Sequence, residues 1–318
     1  MFDSLRDLNA RIDRASLRVY RPKHTVFLCG GLISKKADEK AVLSVRDYLY
    51  RIRQAEKRLG TTIVLAETAQ QLYRDTTYND LISFEEDIAR IASIVLVISE
   101  SPGSLAELGA FASEPVIRET LRIIISEDHS LSDSFVRYGP IKRIESIDRG
   151  HLGIFPWRNH KSSGYVTKSS IAPHFNEIIQ FIRDKVSDIP LSFSYGLLSR
   201  EKSLFFDILW LISLLEAPPP EPLYEAVRIL HPDMTDAQIR NCLYTLRVCR
   251  WIDTFSYSNR DYFYLPVNND PYEYAFLSGQ RIRDVAARKL EIVTEFHKAV
   301  GIGRAVLKRL QEKRKGAS

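Results

Sequence analysis

The stretch VISESPGSLAELGAFAS, Val97 to Ser113, decides how the chain is read, because it passes from an apolar strand through a turn into a helix. Its first residues close the β-branched run Ile94 to Ile98 (IVLVI), whose length and composition suit a strand buried on both faces. Ser101-Pro102-Gly103-Ser104 supplies turn chemistry. Ser104 followed three residues later by Glu107 spells a capping box, in which the serine accepts from the Glu107 amide and the carboxylate reaches back to the Ser104 amide. A second reading stands beside the first. At the carboxyl end of a strand in a parallel sheet, the same carboxylate faces the crevice where ligands bind.

Working outward, TVFLC at Thr25 to Cys29, TIVLA at Thr62 to Ala66 and LRIIIS at Leu121 to Ser126 are further buried-strand runs. Helical patterns at Glu39 to Leu59, after Glu67, at Ser83 to Ala92 and from Ser104 to about Glu114 alternate with them. This alternation predicts an α/β fold, a doubly wound parallel sheet with helices on both faces, over residues 23–150, preceded by an amphipathic helix in 1–22. Gly150 to Ser170 (GHLGIFPWRNHKSSGYVTKSS) lacks periodicity and is expected to be a long loop. A helix at Ile171 to Val186 and a composition break at Ser187 to Ser199 make 151–199 a loop and connecting helix.

The rhythm then changes. A helix at Glu201 to Glu216, the stop PPPEP at Pro218 to Pro222, a short helix at Leu223 to Leu230 and a third from Thr235, boxed by Gln238, precede two aromatic strand-like runs, Trp251 to Tyr257 and Asp261 to Pro266. Ser258, Asn259 and Arg260 form the turn between them. Three helices and a hairpin predict a smaller winged-helix α+β domain at 200–267. Ile239, Cys242, Leu246 and Cys249 point inward from its third helix, while Arg240, Asn241, Tyr244, Arg247 and Arg250 point away. Arg240, Arg247, Arg250 and the turn residue Arg260 are candidates for contact with nucleic acid or a protein partner, since such domains do both. A long helix at Gln280 to Val300 and a basic tail fill 268–318.

At 318 residues, 45% hydrophobic and 27% charged, the chain is long enough for two cores. Its longest dense apolar run, Leu204 to Leu215, is too short for a bilayer and contains Asp207, and the N-terminus lacks the apolar stretch of a secretory signal. No membrane contact and a cytoplasmic location are expected. Cys29, Cys242 and Cys249 suit reduced core thiols. Residues 301–318 carry six of the 45 Lys and Arg and one of the 40 Asp and Glu, which leaves 39 of each elsewhere, so the net charge lies in a tail that reads as a frayed, solvated end or as a contact for nucleic acid or an acidic protein. No Walker motif, no G-x-G-x-x-G, no zinc spacing and no G-x-S-x-G elbow occurs, so no metal and no bound cofactor is expected.

What remains is a set of small and acidic residues at strand ends. Cys29-Gly30-Gly31 closes the first sheet strand, where glycines either make a tight turn or let a ligand reach free backbone N–H groups. Glu67 follows the second strand. Ser83 and Glu86 fit another capping box, which leaves Glu85 for a ribose hydroxyl or base, or for solvent. An ionised Glu107 beside Gly30 and Gly31, with Ser101, Gly103 and Ser104 at the positive helix end, is what N-glycosidic cleavage needs: a carboxylate to attack the anomeric carbon or stabilise its cation.

FLCGG at Phe27 to Gly31, SFE at Ser83 to Glu85, E-S-P-G-S-x-x-E-L-G-A-F at Glu100 to Phe111 and YGP at Tyr138 to Pro140 together resemble the nucleoside deoxyribosyltransferase-like effectors of bacterial retron anti-phage systems. The resemblance covers roughly residues 24–140, and the C-terminal winged-helix pattern matches that architecture. It implies an N-glycosidase toxin held in check by a retron reverse transcriptase and its multicopy single-stranded DNA (msDNA), which on infection cleaves NAD, a substrate here rather than a cofactor, at the nicotinamide–ribose bond. It also implies assembly into filaments, and it puts the nucleophile on Glu107. That family usually carries Asp six residues earlier, where this chain has Ser101, a departure that suits hydrolysis or another substrate better than base exchange. Pro102 to Glu107 also partly echoes the P-G-G-x-G-T-x-x-E signature of phosphoribohydrolases. A nucleotide-sensing DNA-binding regulator without enzymatic activity, and a pure assembly protein, are the alternatives.

Overall fold

A computed structural model describes residues 1–36, 41–67, 77–131, 133–158 and 166–317. The first half runs α1 (Asp3–Arg11), β1 (Arg18–Tyr20), β2 (Thr25–Cys29), α2 (Val45–Asp47), α3 (Ala55–Leu59), β3 (Thr62–Leu65), α4 (Leu81–Ile91), β4 (Ile94–Ser99), α5 (Pro102–Ser113), α6 (Pro115–Thr120), β5 (Leu121–Ser126) and β6 (Leu152–Phe155). There follow α7 (Phe175–Ser187), β7 (Ser192–Ser194), α8 (Arg200–Leu215), α9 (Pro220–Leu230), α10 (Asp236–Val248), β8 (Asp253–Tyr257), β9 (Arg260–Tyr264), β10 (Tyr272–Glu273), α11 (Val285–Val300) and α12 (Arg304–Ala317). The chain folds into two compact units, one of residues 24–72 and 80–189, the other of 1–23, 190–318 and a short piece ending at Asn79.

The first unit is mixed α/β around a five-stranded parallel sheet in the order β3-β2-β4-β5-β6. The chain leaves β2 toward β3 on one side and returns to β4 on the other, so the strand order reverses between β2 and β4. Their carboxyl ends flank the crevice that such a reversal opens. Strands β2, β4 and β5 are buried at every position, which is why they read as unbroken apolar runs. Val26, Leu28, Ile94, Leu96 and Ile98 face a core with Phe175, Ile178 and Ile182 of α7.

Several boundaries differ from the sequence expectation. Leu152–Phe155, inside the expected loop at 150–170, is the fifth strand; a Cβ at Gly153 would lie 2.9 Å from the Phe155 ring, so the glycine that suggested a loop is what lets that ring pack. Residues 159–165 of that stretch, 37–40 of the expected helix Glu39 to Leu59 and 68–76 after Glu67 lie outside the described residues. The helix expected from Glu39 starts only at Val45, capped by Ser44, and passes through a π turn at Tyr48–Ile52 and a left-handed Gln54 before α3. Lys168–Ile171 and a 3-10 turn at Ala172–His174 precede α7, with Pro173 at the break. Asp80, rather than Ser83, caps α4, and its side chain accepts from the Ser83 amide.

In the second unit β1 pairs antiparallel with β7 and β10, so the N-terminal segment is a helix followed by a strand. Asp207, at 0% exposure on the apolar helix α8, joins distant segments: it accepts from Arg14 at 2.8 Å, Tyr195 at 2.7 Å and Tyr272, and meets His231 Nε2 at 2.7 Å. Helices α8, α9 and α10 are followed by the β8–β9 hairpin. Its turn is two residues, Ser258 (φ 49°) and Asn259 (φ 57°), the mirror-image turn that fits strand twist, and Arg260 already belongs to β9. Helix α11 begins at Val285, capped by Asp284, and the basic tail continues as α12 after the left-handed Gly301. Among the described residues no helix is long and apolar enough to cross a membrane.

Candidate functional site

The N-terminus of α5 settles which serine caps it. Ser101 has extended dihedrals, its side chain accepts from the Ser104 amide at 3.2 Å, and Ser104 Oγ in turn accepts from the amides of Ser101 at 2.9 Å and Glu100 at 3.0 Å. Pro102 occupies the first helical position, where its missing N–H costs nothing. The box is therefore Ser101–Ser104, one turn earlier than the expected Ser104–Glu107. The hydroxyls of Ser101 and Ser104 are engaged with each other. Among the described residues a Cβ at Gly103 would meet only Ser101 Oγ, at 3.9 Å, an ordinary contact that does not require glycine there.

Glu107 is thus released from capping and lies in the second turn of α5, half-buried, with Oε2 buried and, among the described residues, without a hydrogen-bond partner. Burial pushes its carboxyl up to about 7, the Arg46 charge pulls it down, and the Glu67 charge pushes it up again. Glu85, on α4, is 7% exposed; burial, then the charges of Glu107 and Asp80, push it up to about 8. Cys29 is fully buried, and its thiol is pushed well up by burial and by Glu107, Glu85 and Glu67, against Arg46. A thiol held protonated is no nucleophile. These mutual influences place Cys29, Glu67, Glu85 and Glu107 in one neighbourhood at the carboxyl end of the sheet.

Two residues that the sequence did not single out organise this neighbourhood. Arg46, 3% exposed, donates from Nε to the Gly31 carbonyl at 2.7 Å and from Nη1 to the Leu28 carbonyl at 3.3 Å, and its Nη2 pairs with the Glu67 carboxylate. Glu100 Oε1 accepts from the amides of Gly31 and Arg46, each at 3.0 Å, and Oε2 from the Val45 amide at 2.6 Å. Burial raises the Glu100 carboxyl while these amides lower it. The Gly31 N–H is therefore not free for a ligand, as the glycine pair suggested. A Cβ at Gly31 would lie 2.6 Å from Ser44 Cβ, and one at Gly30 3.2 Å from Arg46, so both glycines make room for the Arg46–Glu100 arrangement.

The Tyr138–Pro140 stretch lines a cavity of about 510 Å³ with Gly109, Ala112 and Ser113 of α5. The four arginines proposed from sequence lie in the other unit. Arg240, Arg247 and Arg250 are exposed on or just after α10, while Arg260 is half-buried and donates to the Val300 carbonyl at 3.4 Å. Asn241, expected on the same open face, accepts from Thr77 Oγ1 at 2.8 Å. Arg46 and Glu100 escaped notice because one sat inside an expected helix and the other closed a strand; their roles arise from partners 15 to 69 residues away.

A family model described as STM3845 retron effector protein matches residues 42–254, more than half of the chain. The Escherichia coli protein named "Retron Ec86 putative ribosyltransferase/DNA-binding protein" is 26% identical over 126 residues, 40% of this chain and 39% of its own length. Its counterpart of the same name from retron Ec73, also of Escherichia coli, is 28% identical over 132 residues, 41% of each chain. The matched part spans about two fifths of these relatives.

Proposed function

The chain belongs to the STM3845 retron effector protein family, and from that premise we propose that it is an N-glycosidase toxin that hydrolyses NAD, or a related nucleotide, at the nicotinamide–ribose bond through Glu107. The observation that carries this reading is the half-buried Glu107 carboxylate with an unpartnered Oε2, pushed up to about 7. A carboxylate oxygen that is buried and not taken up by helix amides is a better nucleophile and a stronger partner for a developing cation than one spent on a cap.

In the proposed reaction the C1′–N bond breaks and its electron pair leaves with the pyridinium nitrogen, which becomes neutral nicotinamide. Ionised Glu107 attacks or stabilises the oxocarbenium-like C1′. Water then adds to C1′, its proton is released, and ADP-ribose results. Glu85, protonated near neutrality, donates a hydrogen bond to a ribose hydroxyl or to the base. Arg46 holds part of Glu107 ionised, and Glu67, its ion-pair partner, borders the sugar. Ser101 and Ser104 fix the start of α5, and Gly103 leaves the approach to it open. The deoxyribosyltransferase-like domain is the catalytic one, the α8–α10 helices with the β8–β9 hairpin form a winged helix, and the retron reverse transcriptase with its msDNA keeps the protein inactive in a cytoplasmic, filament-forming assembly. Support comes from the family membership and the resemblance of the E-S-P-G-S-x-x-E-L-G-A-F string.

A non-enzymatic nucleotide-sensing DNA-binding regulator is the second reading, favoured by the exposed Arg240, Arg247 and Arg250. Chromatography of NAD after incubation with the full chain, alone and freed from reverse transcriptase and msDNA, separates the two. Loss of NAD that disappears with Glu107→Gln supports the glycosidase. Intact NAD, with duplex DNA binding that falls steeply with salt, supports the regulator.

A further inference from the structure

The basic end of the chain, which its sequence presents as a solvated end or a partner contact, is the helix α12, and that helix is docked. Ile302, Val306 and Leu310 are buried, and α12 packs beside β8 of the hairpin. A frayed end would expose those side chains, so this stretch holds a fixed orientation. Arg304, Lys308 and Lys315 lie on the opposite side, within about 40° of one another around the helix axis and in a row about 16 Å long. All three are exposed. They lie beyond residues 42–254, the part of the chain that matches the family model.

Packing and helix stability account for the buried side of α12 but not for this row. Glu312 is the one acid of the helix, and it pairs with Arg309 at 3.3 Å. Among the described residues the side chains of Arg304, Lys308 and Lys315 make no hydrogen bond or ion pair. On α1, α4 and α11, by contrast, Arg11, Arg90 and Arg288 each meet an acid three or four residues away. Lys315, in the last turn, suits the negative end of the helix dipole. Arg304 does not, since it is the first helical residue, at the positive end, in a first turn without an acid. Three unpaired charges on one rigid row repel one another, and an anion laid along them relieves that repulsion. The remainder of the outward face selects the anion. It carries Ala305, Gln311 and Glu312, with no aromatic and no large apolar side chain. A protein partner calls for apolar or aromatic anchors and disfavours lysine, and a single nucleic-acid strand calls for rings to stack on. A double helix needs neither, because its backbone is a regular array of phosphates, of which about five base pairs span the row.

We propose that the outward face of α12 is a docking surface for the phosphate backbone of duplex DNA, with Arg304, Lys308 and Lys315 as the contacts. The binding is independent of base sequence and of the chemistry at Glu107. Fluorescence anisotropy of the full chain with a labelled duplex of about 20 base pairs, over about 50–200 mM salt, tests it against the triple variant Arg304→Gln, Lys308→Gln, Lys315→Gln. These exposed substitutions leave the packing of α12 alone, and loss of Arg304 relieves the helix end, so the melting temperature should hold or rise slightly. At about 100 mM salt the variant should bind roughly tenfold or more weakly, and its slope of log affinity against log salt should be shallower by about 2–3. A duplex of shuffled sequence should bind like the first, while the single strand and a polyglutamate peptide should compete roughly tenfold or more weakly. The proposal is overturned if the full chain binds no duplex, if the triple variant keeps the original affinity and slope, if loss of binding is confined to Arg240→Gln with Arg247→Gln on α10, or if the single strand or polyglutamate competes as well as the duplex. NAD cleavage, scored on the same preparations, should be unchanged in the triple variant, so a failure of this surface and a failure at Glu107 are told apart.

Discussion

Replacing Glu107 by glutamine changes stability in a way that depends on pH, whatever the substrate. The carboxyl is held at about 7 against a usual 4.5, with burial the first cause, Arg46 opposing and Glu67 adding. Because the folded value is raised, the fold binds a proton more tightly than the unfolded chain does, and wild-type stability is lost as pH climbs from 4.5 through 7. At about 1.4 kcal/mol for each pH unit, less screening at the solvent-facing edge, ionising Glu107 in the fold costs on the order of 2–3 kcal/mol above pH 8. Glutamine has nothing to ionise. Thermal melts of the two proteins should therefore differ by roughly 4–10 °C more at pH 8.5 than at pH 5, with glutamine the more stable at high pH, while NAD cleavage by the variant falls by roughly a thousandfold or more. A gap in melting temperature that is the same at both pH values refutes the assignment of Glu107 as a desolvated, unpartnered acid. A stabilised variant that still cleaves NAD refutes its catalytic role and leaves the electrostatics standing.

Glu85→Gln removes the neighbour held protonated up to about 8; the alkaline limb of the NAD-cleavage pH profile should flatten, and an unchanged limb counts against Glu85 as a proton donor. Gly31→Ala forces a Cβ to 2.6 Å from Ser44 Cβ, so urea unfolding should show a loss of about 1–3 kcal/mol together with reduced activity, since the Glu100 contact moves with it. Asp207→Asn strips the charge from a buried carboxylate that meets Arg14, Tyr195, Tyr272 and His231. It should cost about 3–5 kcal/mol by denaturant titration, and a loss under 1 kcal/mol means that the network contributes little.

The strands of the sheet were legible where they are buried on both faces, because an unbroken β-branched run has few other readings. Leu152–Phe155 was not, since its Gly153 exists to admit the Phe155 ring, and that need is tertiary. The helix starts were legible in kind but misplaced in register. The string S-P-G-S-x-x-E contains both Ser101-x-x-Ser104 and Ser104-x-x-Glu107, and the signal that separates them is Pro102, whose preferred first helical position points to Ser101 as the cap. Asp80-x-x-Ser83 overlaps Ser83-x-x-Glu86 in the same way, and aspartate caps at least as well as serine. Acids near helix starts could be found by position, which exposed Glu85 and Glu107. Arg46 and Glu100 could not, because they act on groups that only folding brings near.

Those two residues turn a cluster of acids into a poised one. Desolvation alone would leave Glu107 protonated, with Glu67 pushing the same way, and an acid kept neutral can neither attack C1′ nor stabilise its charge. Arg46 supplies the opposing field, and it holds that position through three fixtures: the carbonyls of Gly31 and Leu28 at the end of β2, the Glu67 carboxylate beyond β3, and its own amide on Glu100 at the end of β4. Glu100 therefore acts at a distance. Its carboxylate ties Gly31 to the first amides of α2, so that two strand ends on either side of the crevice fix the cation whose charge opposes protonation of Glu107. The E-S-P-G-S-x-x-E string thus carries two acids with opposite duties. The first is saturated with amide hydrogen bonds and positions the arginine; the second is left with a bare oxygen, and the first makes that bareness usable.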